Sequence, residues 1–380
     1  MTYASLEAFN AATDRNVLAL QEARAAGARV VGQYCIYSPL EIALAAGAIP
    51  VSLCGTKNDS IATAETVLPR SLCPLIKSSF GFALEDSCPY LAASDIVVAD
   101  ATCDGKKKMY ELLQAYKPVE LLQIPQVQNA TAYAQWRGEY QRLCRRLEEV
   151  FGVAIDDGKL RAAITLANRL RTALKRVLDL ARHKPAPLTG MEQLQISFRA
   201  SFTTDYAATT ALLDALAEEI DAAVKAGTAG GKPQAPRLLL TGVPTGVGSH
   251  KVVQLLEDCG ASVVCIDNCT CYKKTLLMPD PAGDPLTELA TRYLDMHCSV
   301  MSPNPRRYTV LRELARDFAV DAVVDLTWQG CLTYDVEAWS VNKFVREQLK
   351  LPCLHIVTDY SPTDTEQLKV RVEAFLEMLR

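Results

Sequence analysis

Nothing in this chain is long and apolar enough to span a bilayer, and its first residues carry no basic segment followed by an apolar core, so neither a membrane anchor nor a secretion signal is expected. Charge of one sign is also missing. With 40 Lys and Arg against 44 Asp and Glu, a net charge of -4 gives no general attraction for nucleic acid or anionic lipid. Only 4 histidines are present, and no serine, histidine and acid constellation is evident among them. No Cys-x2-Cys pair occurs, which excludes a zinc ribbon, and Cys269-Thr270-Cys271 is the one close pair. The turn Thr241–Lys251 is rich in glycine but meets neither the Walker A nor the dinucleotide spacing, so it reads as a turn that shapes a site or an interface. A hydrophobic share of 49% over 380 residues then describes a cytoplasmic globular protein with room for two or three domains.

What is abundant is cysteine. Thirteen is an odd number, so disulfides within the chain cannot use them all, and a reducing compartment disfavours disulfides in any case. Cys144, Cys259, Cys265 and Cys353 fall inside helical or strand patterns and read as small apolar packing residues. The others concentrate where elements end. Asp95-Ile96-Val97-Val98 leads through Thr102 to Cys103, and Asp321-Ala322-Val323-Val324 leads through Thr327 to Cys331. A β-branched run after an acid reads as a buried parallel strand, and the loop leaving its carboxyl end is where open α/β sheets place ligands. A second repeat is carried by Gly47 and Gly260, each followed by an extended run ending near Cys54 and Cys269.

The alternation of short apolar runs with helical periods predicts two Rossmann-like parallel-sheet domains of α/β class facing each other, with an all-helical segment between them. The boundaries are 1–130, 131–232 and 233–380; the last boundary falls within the linker-like stretch Thr228–Gln234. The long helical pattern from Ala4 to Ala26 precedes the first strand, and Pro50 limits the run Ala48–Leu53 to an edge or a strand start. Cys103 stands immediately before a helix start bearing Lys106, Lys107 and Lys108, a setting that favours a thiolate. Cys73-Pro74 and Cys88-Pro89 each suit a helix start.

Three strings, Leu68–Ser79 around Cys73, Thr102–Glu111 around Cys103, and Trp328-Gln329-Gly330-Cys331, resemble the 2-hydroxyacyl-CoA dehydratase component D superfamily, and within it the double-cubane cluster proteins. The resemblance implies a cubane on Cys73, Cys103 and Cys331. For the double-cubane branch it implies an 8Fe-9S cluster with about three more thiols, assigned to Cys269, Cys298 and Cys88, with Cys35 and Cys271 in reserve. It further implies a homodimer that takes electrons from a separate ATP-hydrolysing 4Fe-4S reductase of the acetate and sugar kinase fold and reduces a small unsaturated substrate. Leu332 stands where this branch commonly has histidine and Val300 where a further cysteine is frequent, which leaves Glu337 as the candidate acid. The alternatives are a dehydratase subunit with one 4Fe-4S cluster acting on a 2-hydroxyacyl-CoA, and a non-catalytic electron carrier.

Overall fold

In the computed structural model, which describes residues 3–379, two parallel four-stranded sheets repeat one topology. The amino-terminal sheet consists of β1 (Arg29–Gln33), β2 (Ala48–Ser52), β3 (Ile96–Asp100) and β4 (Val119–Leu122), in the order β2-β1-β3-β4. The carboxyl-terminal sheet consists of β5 (Arg237–Gly242), β6 (Ser262–Asp267), β7 (Ala322–Trp328) and β8 (Cys353–Thr358), in the order β6-β5-β7-β8. Each chain path crosses from one side of its first strand to the other, so each sheet has a switch point at the carboxyl ends of its two central strands. Pro50, which cannot donate to a ladder on both sides, sits in the edge strand β2 opposite Val31.

The acid that opens each repeated strand motif does the same work twice. Asp95 Oδ2 accepts the backbone N–H of Val30 at 2.8 Å, and Asp321 Oδ2 accepts that of Arg237, also at 2.8 Å. Each carboxylate thereby ties the start of the third strand of its sheet to the first. The apolar residues behind it are buried on both faces, as a parallel sheet covered by helices requires.

The expected long amino-terminal helix is broken at Arg15 into Ala4–Asp14 and Asn16–Ala25. The helices of the middle segment are Ala130–Phe151, Asp157–Asp179, Gly190–Ala200 and Tyr206–Lys225, and they are divided between the two sheets rather than packed into a bundle of their own. Ala130–Phe151 lays Trp136, Tyr140, Leu143 and Leu147, one stripe at helical spacing, into the core that contains Val31, Ile96 and Val98. Asp157–Asp179 joins that core through Leu160 and Ile164, while Leu174, Val177 and Leu178 near its other end pack with Leu239, Val264 and Val323 of the second sheet. One helix thus fixes both lobes. The start of the chain is shared in the same way, with Leu6 and Phe9 packed in the core of the carboxyl-terminal sheet beside Leu213 and Leu216.

The glycine-rich turn after β5 is an interface between lobes. Thr56 Oγ1 donates to the Val247 carbonyl at 2.8 Å, and a Cβ on Gly246 would come within 2.7 Å of both Thr56 and Phe198. Across the same seam the Tyr360 hydroxyl donates to the Gly55 carbonyl at 3.1 Å. No helix among the described residues is long and apolar enough to cross a membrane.

Candidate metal centre

The carboxyl ends of the two sheets open onto one cavity of about 250 Å³. Seven cysteines line it: Cys35, Cys54, Cys73 and Cys103 from the amino-terminal lobe, and Cys269, Cys298 and Cys331 from the carboxyl-terminal lobe. Their positions follow the fold repeat. Cys54 lies two residues beyond β2 and Cys269 two beyond β6, and Cys103 lies three beyond β3 as Cys331 lies three beyond β7. Cys35 follows β1 in a left-handed backbone conformation, φ 70°, and the equivalent place after β5 is Pro244. Cys73 is the N-cap of the helix Pro74–Leu84, and Cys298 comes from the loop between the helices Pro285–Leu294 and Pro305–Asp317.

A single glycine lets the lobes meet. Gly330 adopts φ +81°, and a Cβ there would stand 2.4 Å from the Ser71 carbonyl oxygen and 3.1 Å from the Cys73 nitrogen. The loop carrying Cys331 therefore rests directly against the backbone that carries Cys73.

Burial pushes the Cys331 and Cys269 thiols up to about 12 and the Cys73 thiol to about 11, and it also raises those of Cys35 and Cys54. Their mutual electrostatics sorts them into two sets. After burial, negative charge on Cys73 and Cys103 acts on Cys331, and charge on Cys103 acts on Cys73. Charge on Cys269 and Cys298 acts on Cys35, while Cys298 and Cys54 act on Cys269. Each set has a buried ammonium nearby. Lys106 is 3.4 Å from Asp100 and acts on Cys35, Cys54, Cys73 and Cys269; fully buried Lys273 acts on Cys269 and donates to the His297 carbonyl at 3.3 Å. Of the three lysines after Cys103 only Lys106 turns inward, because Lys107 and Lys108 pair at the surface with Asp104 and Glu111.

Among the described residues, no three His, Cys, Asp or Glu side chains close on a point as they would around a single ion. The seven thiols instead surround a space whose lining contains no carboxylate and no histidine. An all-sulfur donor set spread round a cavity suits a multinuclear iron–sulfur cluster and does not suit a lone zinc ion, which takes tetrahedral ligands at one centre. The residues present therefore fit the group that the family resemblance implies.

Five of the six thiols assigned from the sequence, Cys73, Cys103, Cys269, Cys298 and Cys331, are in this lining, and Cys88 is not. Cys88 caps the short helix Pro89–Ala93, its Sγ accepting the Leu91 N–H at 3.5 Å. Of the reserves, Cys35 lines the cavity, whereas Cys271 is buried against the Gln193 carbonyl. Cys54 also lines the cavity but was not among the thiols assigned from the sequence, although the repeat that pairs it with Cys269 could have pointed to it. Cys144, Cys259, Cys265 and Cys353 lie outside the lining, in or against the apolar cores.

Glu337 does not line the cavity either. It accepts from Asn304 Nδ2 at 2.6 Å and lies 3.3 Å from Arg307 Nε, while Arg307 reaches the fully buried Asp267 at 3.1 Å. His297 Nε2 is 2.8 Å from the other oxygen of Asp267. Next to an aspartate that would favour its charge, His297 is nonetheless pushed by burial down to about 4, so it is neutral at ordinary pH. From the helix that carries Glu337, Leu332–Phe344, Thr333 and Tyr334 line the cavity; the Tyr334 hydroxyl lies 3.9 Å from Cys298 Sγ and its ring is covered by Lys273 and Arg307 at 5.9 Å each.

Residues 35–379 match the family model of the 2-hydroxyglutaryl-CoA dehydratase D-component. Over 377 residues the chain is 41% identical to a putative dehydratase subunit, YjiM, of Escherichia coli, covering 99% of this chain and 98% of that one. It is 23% identical to the (R)-phenyllactyl-CoA dehydratase beta subunit of Clostridium sporogenes, with 93% of this chain and 92% of that one aligned. The identity is 25% with the lactoyl-CoA dehydratase subunit beta of Anaerotignum propionicum, over the same shares of the two chains.

Proposed function

The chain belongs to the family of the 2-hydroxyglutaryl-CoA dehydratase D-component, and from that premise we propose that it is the catalytic iron–sulfur component of an ATP-dependent reductase system. In this reading it holds an 8Fe-9S double cubane and reduces a small unsaturated molecule with electrons from a separate ATP-hydrolysing 4Fe-4S reductase. The observation that carries the reading is the thiol count: seven around one cavity, where a single cubane of the dehydratase type would use three.

Cys73, Cys103 and Cys331 would hold one half of the group, and Cys269, Cys298 and a thiol from Cys35 or Cys54 the other. Bound there, it would supply electrons at a potential set by its charge, hydrogen bonds and burial, within a range of roughly -700 to +450 mV for protein-bound clusters. The thiols must lose their protons to ligate, so loading the site releases protons to solvent. Lys106 and Lys273 stabilise the anionic sulfurs in a setting where little water screens them. Tyr334, kept neutral by burial, holds a hydroxyl proton at Oη beside Cys298.

Anaerobic purification followed by iron and acid-labile sulfide counts tests the reading. About eight irons per chain is the expected result, and about four would favour the second reading, a dehydratase subunit with one cubane. That second reading is favoured by the names of the relatives, which are dehydratase subunits.

We assign the docking of the reductase to the helix Leu332–Phe344, because it starts at Cys331 and leaves Leu332, Val336 and Trp339 exposed at 74%, 76% and 70%. Trp339→Glu is expected to slow reduction by the reductase about tenfold with the iron count kept. Unchanged reduction, or a shift from dimer to monomer with reduction intact, would remove the assignment.

A further inference from the structure

The cavity has a second pole that the thiols leave unused. Its lining holds four cations, Lys106, Arg171, Lys274 and Arg292, and no carboxylate. Two of these are answered from behind. Lys106 faces Asp100, and Arg171 bonds Glu41 at 2.5 Å, with the Tyr293 hydroxyl donating to the other Glu41 oxygen at 2.8 Å.

Arg292 and Lys274 have no such partner among the described residues. Arg292 is 4% exposed, and its Nη2 donates to the Lys274 carbonyl at 3.0 Å. Its Nε and Nη1 have no hydrogen-bond acceptor at all. Orphaned buried donors on a charged group are costly, so a guanidinium kept in this state is unusual unless something else accepts from it. Lys274 Nζ donates to the Ser197 carbonyl at 2.6 Å and to Ser201 Oγ at 2.8 Å, both neutral acceptors.

Neither member of this pair meets a carboxylate across the cavity. The charged and titratable groups that act on Arg292 are Arg171, Tyr293 and Glu41, and the thiol that acts on Lys274 is Cys271, which is outside the lining. The cations that act on the thiols of the second set are Lys106 and Lys273. The cavity is also lined by Leu170, Leu174, Phe198 and Phe202, a surface suited to a short hydrocarbon chain.

We propose that Arg292 and Lys274 form an anion pole that binds the free carboxylate of a small organic acid, holding its hydrocarbon end toward the cysteines. The assignment rests on the reductive reading for the view that this acid is the substrate. The pole itself rests on the unpartnered guanidinium and the acid-free lining. A charge-assisted hydrogen bond from a buried guanidinium to a carboxylate would satisfy donors that nothing in the fold satisfies.

The test uses the anaerobic, iron-loaded full chain and isothermal titration with crotonate, butyrate, their amides crotonamide and butyramide, and inorganic phosphate. Both acids are expected to bind and neither amide. Arg292→Gln is expected to weaken the acids by about tenfold or more, and Lys274→Met by less, with iron content and melting temperature kept. Should Arg292→Gln fail to fold, Arg292→Lys retains the charge with fewer donors and is expected to bind with intermediate affinity. The proposal is overturned if neither acid binds at millimolar concentration, if acids and amides bind alike, if phosphate binds tighter than both acids, or if the variants keep full affinity. Iron counts report on the cluster and the isotherms on the anion pole, so either can fail without the other.

Discussion

The two lobes share a strand order and a thiol pattern but balance charge differently. At the switch point of the amino-terminal lobe, Cys35 follows β1 and Asp100 ends β3, with Lys106 paired to Asp100 beside the cavity. The corresponding places in the carboxyl-terminal lobe are Pro244 and Trp328, joined by a hydrogen bond of 2.9 Å from the indole N–H to the Pro244 carbonyl. At this switch point itself the lobe has no ion pair, and its Asp267, His297, Arg307 and Glu337 cluster lies behind the cavity wall, while its lining cations, Lys274 and Arg292, stand elsewhere on the cavity. One lobe therefore puts an ion pair at its switch point, and the other puts apolar groups there and keeps an ionic layer underneath. A repeat can preserve ligand positions while each copy finds its own way to stabilise them.

The largest effect should come from breaking the seam between the copies. Gly330→Ala imposes a Cβ where the Ser71 carbonyl stands, at a backbone conformation that alanine resists. Cys331 is then driven away from Cys73. Iron is expected to fall to about half or less, with reductase-dependent turnover lost, by the same analytical iron assay. Retention of full iron would show that the lobes need not touch there.

The next largest effect separates the two charge strategies. Arg307→Met strips a fully buried guanidinium from both Asp267 and Glu337 and should destabilise the protein by about 3–5 kcal/mol in chemical denaturation. Lys106→Met removes one ion pair, with Asp100, along with an ammonium beside the cavity thiols, and in the cluster-free protein a loss of about 1–3 kcal/mol is expected. Equal losses would mean that the ionic layer behind the second lobe is no more stabilising than the single pair of the first.

Much of this was legible in the sequence because it is carried by local pattern. The β-branched runs behind Asp95 and Asp321, the thiols that follow them, and the parallel class all follow from short-range periodicity and strand-end position. The helical segment was legible as helix but not as to its partners, since which sheet each helix covers depends on contacts between residues far apart in the chain. The same holds for Arg292 and Lys274, whose lack of a bonded carboxylate is a property of packing. Glu337 read as a candidate acid from its place after Cys331, yet it is taken up by Arg307 and Asn304, partners far away in the sequence, while Tyr334, one turn earlier, lines the cavity.

The smallest effect decides between two cysteines that look alike in sequence. Cys88 and Cys73 both precede proline at a helix start, a place that suits a ligand and an N-cap equally. Cys73 projects into the cavity, whereas the Cys88 sulfur accepts from its own helix. Cys88→Ser replaces one N-cap acceptor by a better one, so stability should move by no more than about 0.5 kcal/mol, with iron unchanged. Cys54→Ser removes a thiol that lines the cavity and acts on Cys269, and a measurable loss of iron from the second set is expected. If instead Cys88→Ser loses iron and Cys54→Ser does not, the strand-end repeat is the wrong guide, and the sixth ligand must reach the cavity by a movement of the helix Pro89–Ala93.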